Sequence, residues 1–228
     1  MPPRPDRDLV AAARAHPAYP PQLLERRGSL VVCAKPSGLA STGRHLNDPD
    51  CLQALVMGST KKMAWAVHQL DRETSGVNLF VLKKTWVHTH AEALRQGQKR
   101  YLALVEGKWS AGDTTIDAPI ARIDGSPQID DSGRRAVSHV RVLEIGSQAS
   151  LLEVSIETGR THQVRLHVAH LGHPVVGDRR YGTPGDRHFL HARQITLGGD
   201  IEGSWQAPLP ADFCAALNHY EISEPGES

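Results

Sequence analysis

One acid in this 228-residue chain sits where a reactive carboxylate would be useful. Asp71 lies in the segment His68-Gln-Leu-Asp-Arg-Glu-Thr-Ser-Gly76, between an apolar approach, Met63-Ala-Trp-Ala-Val67, and an apolar departure, Val77-Asn-Leu-Phe-Val-Leu82. Both flanks are rich in β-branched, aromatic and apolar residues, so each reads as a buried strand. The acid is thus placed at the mouth of a rigid sheet, where a carboxylate can act as nucleophile or general base. Taken alone, the segment suits equally well a turn acid capping the Arg-Glu-Thr-Ser-Gly loop.

Other chemistries find less support. There is no GxGxxG and no P-loop, so no nucleotide cofactor is indicated. His162, His167, His170 and His173 crowd one stretch, but within the expected helix only His167 and His170 are three apart, without HExxH and without a carboxylate at the matching step. Helix packing and hydrogen bonds to backbone account for these histidines more simply than a metal. Cys33, Cys51 and Cys214 are far apart and odd in number, and read as reduced thiols. Cys33, inside Leu30-Val-Val-Cys-Ala34, reads as a small buried hydrophobe.

The elements that must position Asp71 can be traced along the chain. Residues 1 to 22 are rich in Pro and Arg, with a short helix-like piece at Asp8 to His16, and read as a poorly ordered extension too short to be a separate RNA-binding domain. A hairpin is predicted between Gln22–Glu25 and Ser29–Ala34, and Asp48-Pro49 offers a cap and first-turn Pro for a helix to about Met57. Lys35-Pro-Ser-Gly-Leu39 reads as a fixed loop. A helix over Thr85 to Gln96 stops before Gly97, and strands are predicted at Arg100–Glu106, Ala136–Ile145 and Ser150–Glu157. Val164, His167, Val168 and Leu171 mark one face of a helix over Thr161 to Leu171, with Gly172 and Pro174 as its stop. No βαβ rhythm or internal repeat is present, which predicts an α+β fold: a mixed, mainly antiparallel sheet with flanking helices. One continuous domain over residues 23–220 is expected, followed by an acidic tail at 221–228.

The formal net charge of +1 conceals an asymmetry. Residues 200–228 hold six acids and no Lys or Arg, which leaves 26 basic residues against 19 acids, or +7, in residues 1–199. Basic pairs recur at Lys61-Lys62, Lys83-Lys84, Lys99-Arg100, Arg134-Arg135 and Arg179-Arg180. If the fold gathers several on one face they would neutralise phosphates, in binding that weakens steeply with salt. No apolar run is long enough to span a bilayer and no apolar stretch marks a secretion signal, so a soluble, cytoplasmic protein is expected.

The Asp71 segment also resembles the signature of the RluA-type pseudouridine synthases, and four further segments agree in order: Ala34-Lys-Pro-Ser-Gly-Leu39, Lys99-Arg-Tyr-Leu-Ala-Leu-Val-Glu-Gly107, the run from Gly159 to Gly182, and Leu-His-Ala-Arg-Gln-Ile-Thr-Leu followed by Ala-Pro-Leu-Pro-Ala-Asp-Phe. Together they extend from about residue 30 to residue 213. The resemblance implies the pseudouridine synthase fold and a compact member lacking the S4-type domain of many relatives. It also implies isomerisation of uridine in structured RNA, ribosomal or transfer, with no cofactor, no obligate protein partner and a monomer as the default state. On this resemblance Asp71 is the catalytic carboxylate and Arg165 pairs with it; an Arg within about 4–6 Å would lower its pKa by roughly 1–3 units. Tyr101 corresponds to the active-site Tyr that stacks on the uracil. Arg160 and His162, with Lys35, Arg72 and Lys99, are implied RNA contacts. Two other readings compete: an RNA-binding assembly factor with weak or lost catalysis, and a metal-dependent hydrolase using the His-rich helix.

Gln69 is a departure, since the family usually has Arg there, and an inserted guanidinium can fill the space left by a flipped nucleotide. Gln carries no charge, which predicts a changed mode of base extrusion, a more open target site, or weaker activity. Gln69→Arg should therefore change rate, affinity or site choice on the true substrate; if all three stay as in the wild type, position 69 is not the flipping element.

Overall fold

The computed structural model describes residues 21–44, 48 and 50–226. The helix-like piece expected at Asp8 to His16, and Pro49, lie outside these residues. In chain order, β1 (Gln22–Arg27), β2 (Leu30–Lys35), α1 (Leu52–Thr60), β3 (Trp65–Ala66), β4 (Ser75–Val81) and α2 (Trp86–Gln96) come first. Then follow β5 (Gln98–Glu106), β6 (Thr114–Asp117), β7 (Ile120–Ile123), β8 (Ser126–Ile129), β9 (Val137–Ile145), β10 (Ala149–Ile156) and α3 (Gln163–His170). β11 (Leu190–Leu197), β12 (Gly203–Gln206) and α4 (Ala211–His219) complete the described chain. The architecture is α+β, with mixed, mostly antiparallel sheet and helices packed on it.

Two compact units divide the chain. One takes residues up to Gly97 together with Ala192–Ala211, and the other takes Gln98–His191 together with the residues from Asp212 on.

In the first unit the strand order is β1-β2-β4-β11, with β3 also on β4 and β12 on β11. The β1–β2 hairpin turns at Gly28 and Ser29, where Arg27 faces Leu30 and Gly28 takes a positive φ of 57°. β1 runs two residues closer to the turn than the sequence pattern predicts, whereas β2 starts and ends one residue later. β2 and β4 are buried along their whole length, and the period of two divides their side chains between two cores. Leu30, Val32 and Ala34 join Val77, Leu79 and Val81 with Ala93 and Leu94 of α2 and Ile195, Leu197 and Trp205. On the opposite face, Val31, Cys33 and Phe80 pack with Leu52 and Val56 of α1. Burial on both faces explains why these strands read as continuous apolar runs rather than as alternation.

Three expected boundaries change. The first helix starts at Leu52, because Cys51 occupies the cap and its Sγ accepts the Ala54 N–H at 3.4 Å. Only Trp65 and Ala66 of the approach to Asp71 are strand, and both are half-buried. α3 begins at Gln163 after His162 turns the chain at φ 57°, and it ends before Leu171, which is 40% exposed and so outside the buried face.

The second unit carries β5-β10-β9-β6 in that order, with β7–β8 as a separate hairpin. β5, β9 and β10 fall where the pattern predicts. α4 buries Phe213 and Leu217. The acidic stretch that follows is anchored at its start, with Ile222 buried and the Ser223 N–H donated to Glu144 at 3.0 Å.

Gly76 starts β4 beside the Asp71 turn at φ +116°, and a Cβ there would lie 2.2 Å from the carbonyl oxygen of Ala192. Two backbones therefore meet where only hydrogen fits. Gly76→Ala should cost about 3 kcal/mol or more, from overpacking together with the unfavourable φ. Gly28→Ala, with nothing within 4 Å of the added methyl, should cost only about 1 kcal/mol. Urea midpoints of the two variants check the contrast.

Candidate active site

The turn that carries Asp71 is pinned on several sides within the first unit. Its own backbone closes it, since the Thr74 N–H donates to the Asp71 carbonyl at 3.1 Å. Ser41, almost fully buried, clamps the preceding residue: its hydroxyl donates to the Leu70 carbonyl at 3.1 Å and accepts the Leu70 N–H at 2.9 Å. His68 is fixed to β4, with Nε2 accepting the Leu79 N–H at 3.3 Å and its carbonyl accepting from the Asn78 amide at 3.0 Å. Thr74 and Ser75 are buried as the chain enters β4. Asp71 itself is half-buried, while Gln69 and Arg72 on either side are exposed.

The loop Lys35-Pro-Ser-Gly-Leu39 lies against this turn. The Lys35 ammonium, with no exposed surface, donates to the carbonyls of Leu39 at 2.7 Å, Pro36 at 2.9 Å and Arg72 at 3.0 Å. Arg72 answers with Nη1 on the Gly38 carbonyl at 3.0 Å. Lys35 thus ties its own loop to the carbonyl directly after Asp71. The sequence suggested Lys35 as an RNA contact, but an ammonium buried in this way has no surface to offer a phosphate. Its partners make it the tie of the loop.

In the second unit the predicted residues fall on β5 and around α3. Tyr101 lies on β5 opposite Val154 of β10, nearly buried, and Lys99 two residues earlier is buried also. Gln163 opens α3 and organises the turn before it: its Oε1 accepts from the Thr158 hydroxyl at 2.7 Å and the Arg160 N–H at 3.0 Å, while Nε2 donates to the Val137 carbonyl at 2.9 Å. The half-buried Arg160 donates Nε to the Arg135 carbonyl at 3.0 Å. Burial and then the like charge of Arg134 hold its guanidinium below the usual arginine range.

Arg165 is buried on α3 and makes a two-point pair with Asp178, Nε to Oδ2 at 2.6 Å and Nη2 to Oδ1 at 2.8 Å. Asp178 is fully buried, and its Oδ1 also accepts the N–H groups of Arg180 and Tyr181 at 3.0 and 3.3 Å. Burial pulls the Asp178 carboxyl up, but the bonds from Arg165 and from the Arg180 backbone outweigh it and leave the group below its ordinary value. The Tyr181 ring covers the guanidinium at 5.1 Å, and its hydroxyl lies 2.8 Å from His162 Nδ1. His162 and Arg165 are thereby linked through Tyr181.

Asp178 and Tyr181 were not singled out by sequence reasoning, although both lie in the Gly177-Asp-Arg-Arg-Tyr-Gly182 segment that contributed to the resemblance. The available signal was an acid directly after a glycine in a run shared with relatives. His167, from the His-rich helix, is a core residue: burial lowers its pKa, Nε2 lies 3.0 Å from the Ala118 carbonyl and Nδ1 2.9 Å from the Ser138 hydroxyl. A neutral ring meets both groups.

The model of the RNA pseudouridylate synthase family matches residues 29–170, more than half of the chain. Ribosomal large subunit pseudouridine synthase D of Nitrosomonas europaea is 34% identical, over 91% of this chain and 69% of that protein. Ribosomal large subunit pseudouridine synthase C of Vibrio cholerae is 36% identical, over 82% of this chain and 65% of that protein. An uncharacterised RNA pseudouridine synthase of Chloroflexus aurantiacus is 40% identical over 68% of the chain, and there the chain spans about half of the relative's length, 53%. Human RNA Pseudouridylate Synthase Domain Containing 1 superposes with a TM-score of 0.73 at 27% identity, covering 83% of this chain and 84% of that one. The chain belongs to the RNA pseudouridylate synthases, a family of isomerases of the RluA type.

Removing the Asp178 charge takes from the buried Arg165 the carboxylate that meets it at two points. Asp178→Asn should destabilise the fold by about 3–5 kcal/mol near neutral pH. Because the folded carboxyl titrates below its ordinary value, the wild-type advantage is complete above the unfolded pKa of about 3.9 and is lost as pH falls through the lower folded value. Urea unfolding of both proteins at pH 7 and in acid checks the size and the sign.

Proposed function

We propose that this chain isomerises specific uridines of structured RNA to pseudouridine, with Asp71 as the catalytic carboxylate. The observation that carries the reading is the fixation of the Asp71 turn by Lys35, Ser41 and its own backbone, in a chain of the RNA pseudouridylate synthase family. Catalysis requires the reacting group to be held in place before the substrate arrives. The names of the relatives favour ribosomal RNA of the large subunit as substrate, with transfer RNA as the other candidate.

The reaction breaks the N1–C1′ bond, turns the released uracil and joins C5 to C1′. The proton on C5 leaves to solvent and N1 ends protonated, so no electrons are exchanged with a cofactor. In this reading Asp71 acts on the sugar or the base ring, Arg165 assists it as the family resemblance implies, and Tyr101 stacks on the flipped uracil, for which a value of about 1–3 kcal/mol is typical. Arg72, Arg160 and His162 serve the RNA, the buried Lys99 stays with the β5 strand beside Tyr101, and Gln69 stands at the position of the inserted side chain. Binding with little turnover is the second reading, and the uncharged, exposed Gln69 is what favours it. The protein is proposed to act as a monomer in the cytoplasm.

RNA labelled with tritium at C5 of uridine, prepared from a strain lacking the gene, tests the proposal. Wild-type protein should release tritium, and Asp71→Asn should release none while still binding the RNA. Binding by both proteins without release would move the reading to the assembly factor, and release by Asp71→Asn would remove Asp71 from the chemistry.

A further inference from the structure

A second group of basic residues lies on the first unit at the end of β4 remote from Asp71. Asp71 precedes the start of β4 at Ser75, whereas the strand ends at Val81, a span of about 20 Å. Directly after it come Lys83 and Lys84, both exposed, and then Trp86, whose N–H donates to the Lys83 carbonyl at 3.0 Å. Trp65 of β3 faces Val81 in antiparallel register. The residues just before Trp65 therefore leave the sheet at the same end, and these are Lys61, Lys62 and Met63, all exposed. Two lysine pairs distant in sequence are brought to one edge by strand pairing.

The two segments that bear these lysines carry no acid of their own, and the acid that pairing brings to this end of the sheet, Glu202, lies beside Arg27. No Asp or Glu occurs from Cys51 to Leu70 or from Ser75 to Ala91, and Lys62, Lys83 and Lys84 form no ion pair among the described residues. Within the patch Trp86 is 43% exposed, while Trp109 and Trp205 are buried and Trp65 is half-buried. A partly exposed indole keeps one ring face open to a stacking partner. Its ring meets His90 edge-on with centroids 6.0 Å apart. A ring among lysines is the arrangement that stacks an unpaired base while ammonium groups hold the neighbouring phosphates. A membrane is a poorer fit, because Trp86 and Met63 are the patch's only large exposed apolar side chains.

We propose that Lys62, Lys83, Lys84 and Trp86 form a second RNA contact, which holds an unpaired nucleotide of the substrate RNA away from the reacting uridine. The proposal rests on the RNA-directed reading given above. It adds an anchoring point for a folded substrate, so that selection of the target would depend on an unpaired segment at a set distance as well as on the target loop.

Fluorescence of the full chain with an unstructured oligouridylate tests the contact without requiring turnover. RNA should quench the wild-type emission, and Trp86→Phe should lose most of that quench while keeping the fold and an aromatic ring. Lys83→Ala/Lys84→Ala should weaken binding about tenfold and lower the slope of log affinity against log salt by about 1.4, at about 0.7 per phosphate contact on a single strand. Trp86→Ala should weaken binding about fivefold or more. Wild-type affinity and slope in the double lysine variant, or undiminished quench in Trp86→Phe, would overturn the proposal. So would quenching by phosphatidylglycerol vesicles but not by RNA, which would assign the patch to a lipid surface. Asp71→Asn should keep the quench and lose tritium release; release that persists there removes the catalytic reading and leaves the contact standing.

Discussion

Lys35 carries a positive charge into the first unit with no exposed surface, and three carbonyl oxygens between 2.7 and 3.0 Å meet its ammonium. Burying an ammonium costs several kcal/mol, and only well-placed hydrogen bonds recover that loss. The three N–H bonds offset that cost. Because two carbonyls belong to its own loop and the third to Arg72, the chain before β4 can take up its native course only when both segments are in place. Asp71, one residue before that third carbonyl, inherits its position from a charge that never reaches the surface.

The second unit solves a similar problem with an opposite charge. Arg165 presents a planar fork to Asp178, and two parallel bonds fix orientation as well as distance. Tyr181 closes one face of the guanidinium and reaches His162 with its hydroxyl. Gln163, between them, spends both ends of its amide on the backbone and hydroxyls around the helix start. The first turn of α3 is thus held by polar contacts where a weaker helix start would fray. A helix of eight residues needs such support, since short helices have little stability of their own.

Much of this arrangement was legible from the sequence, and the failures have definite causes. β4, β5, β9, β10 and α2 were readable because apolar runs with clear stops leave few alternatives; Gly97 ends α2 where expected. The start of α1 was misplaced because Cys51 is an uncommon cap, and Asp48-Pro49 is the stronger signal on propensity alone. β6, β7 and β8 have only four residues each, too few for a period to stand out. The Asp71 turn was identifiable, but the means of its fixation was not. A lysine in a Lys-Pro-Ser-Gly loop reads as a surface charge, and nothing local reveals that carbonyls from two segments will enclose it. Asp178 was hidden likewise, since its partner lies 13 residues away and the pair exists only once α3 has packed.

The division of the chain has a consequence for how the protein is made. One face of β2 and β4 is completed by Ile195, Leu197 and Trp205, which leave the ribosome more than a hundred residues after β4. At about 5–20 residues per second, roughly 5–20 s pass before that face can be covered. The strands of the second unit, by contrast, are all synthesised within that interval, with β9 and β10 pairing as a local hairpin and β5 meeting β10 across about fifty residues. The nascent chain therefore carries an uncovered apolar strand face for seconds, a surface open to wrong partners until the last strands arrive.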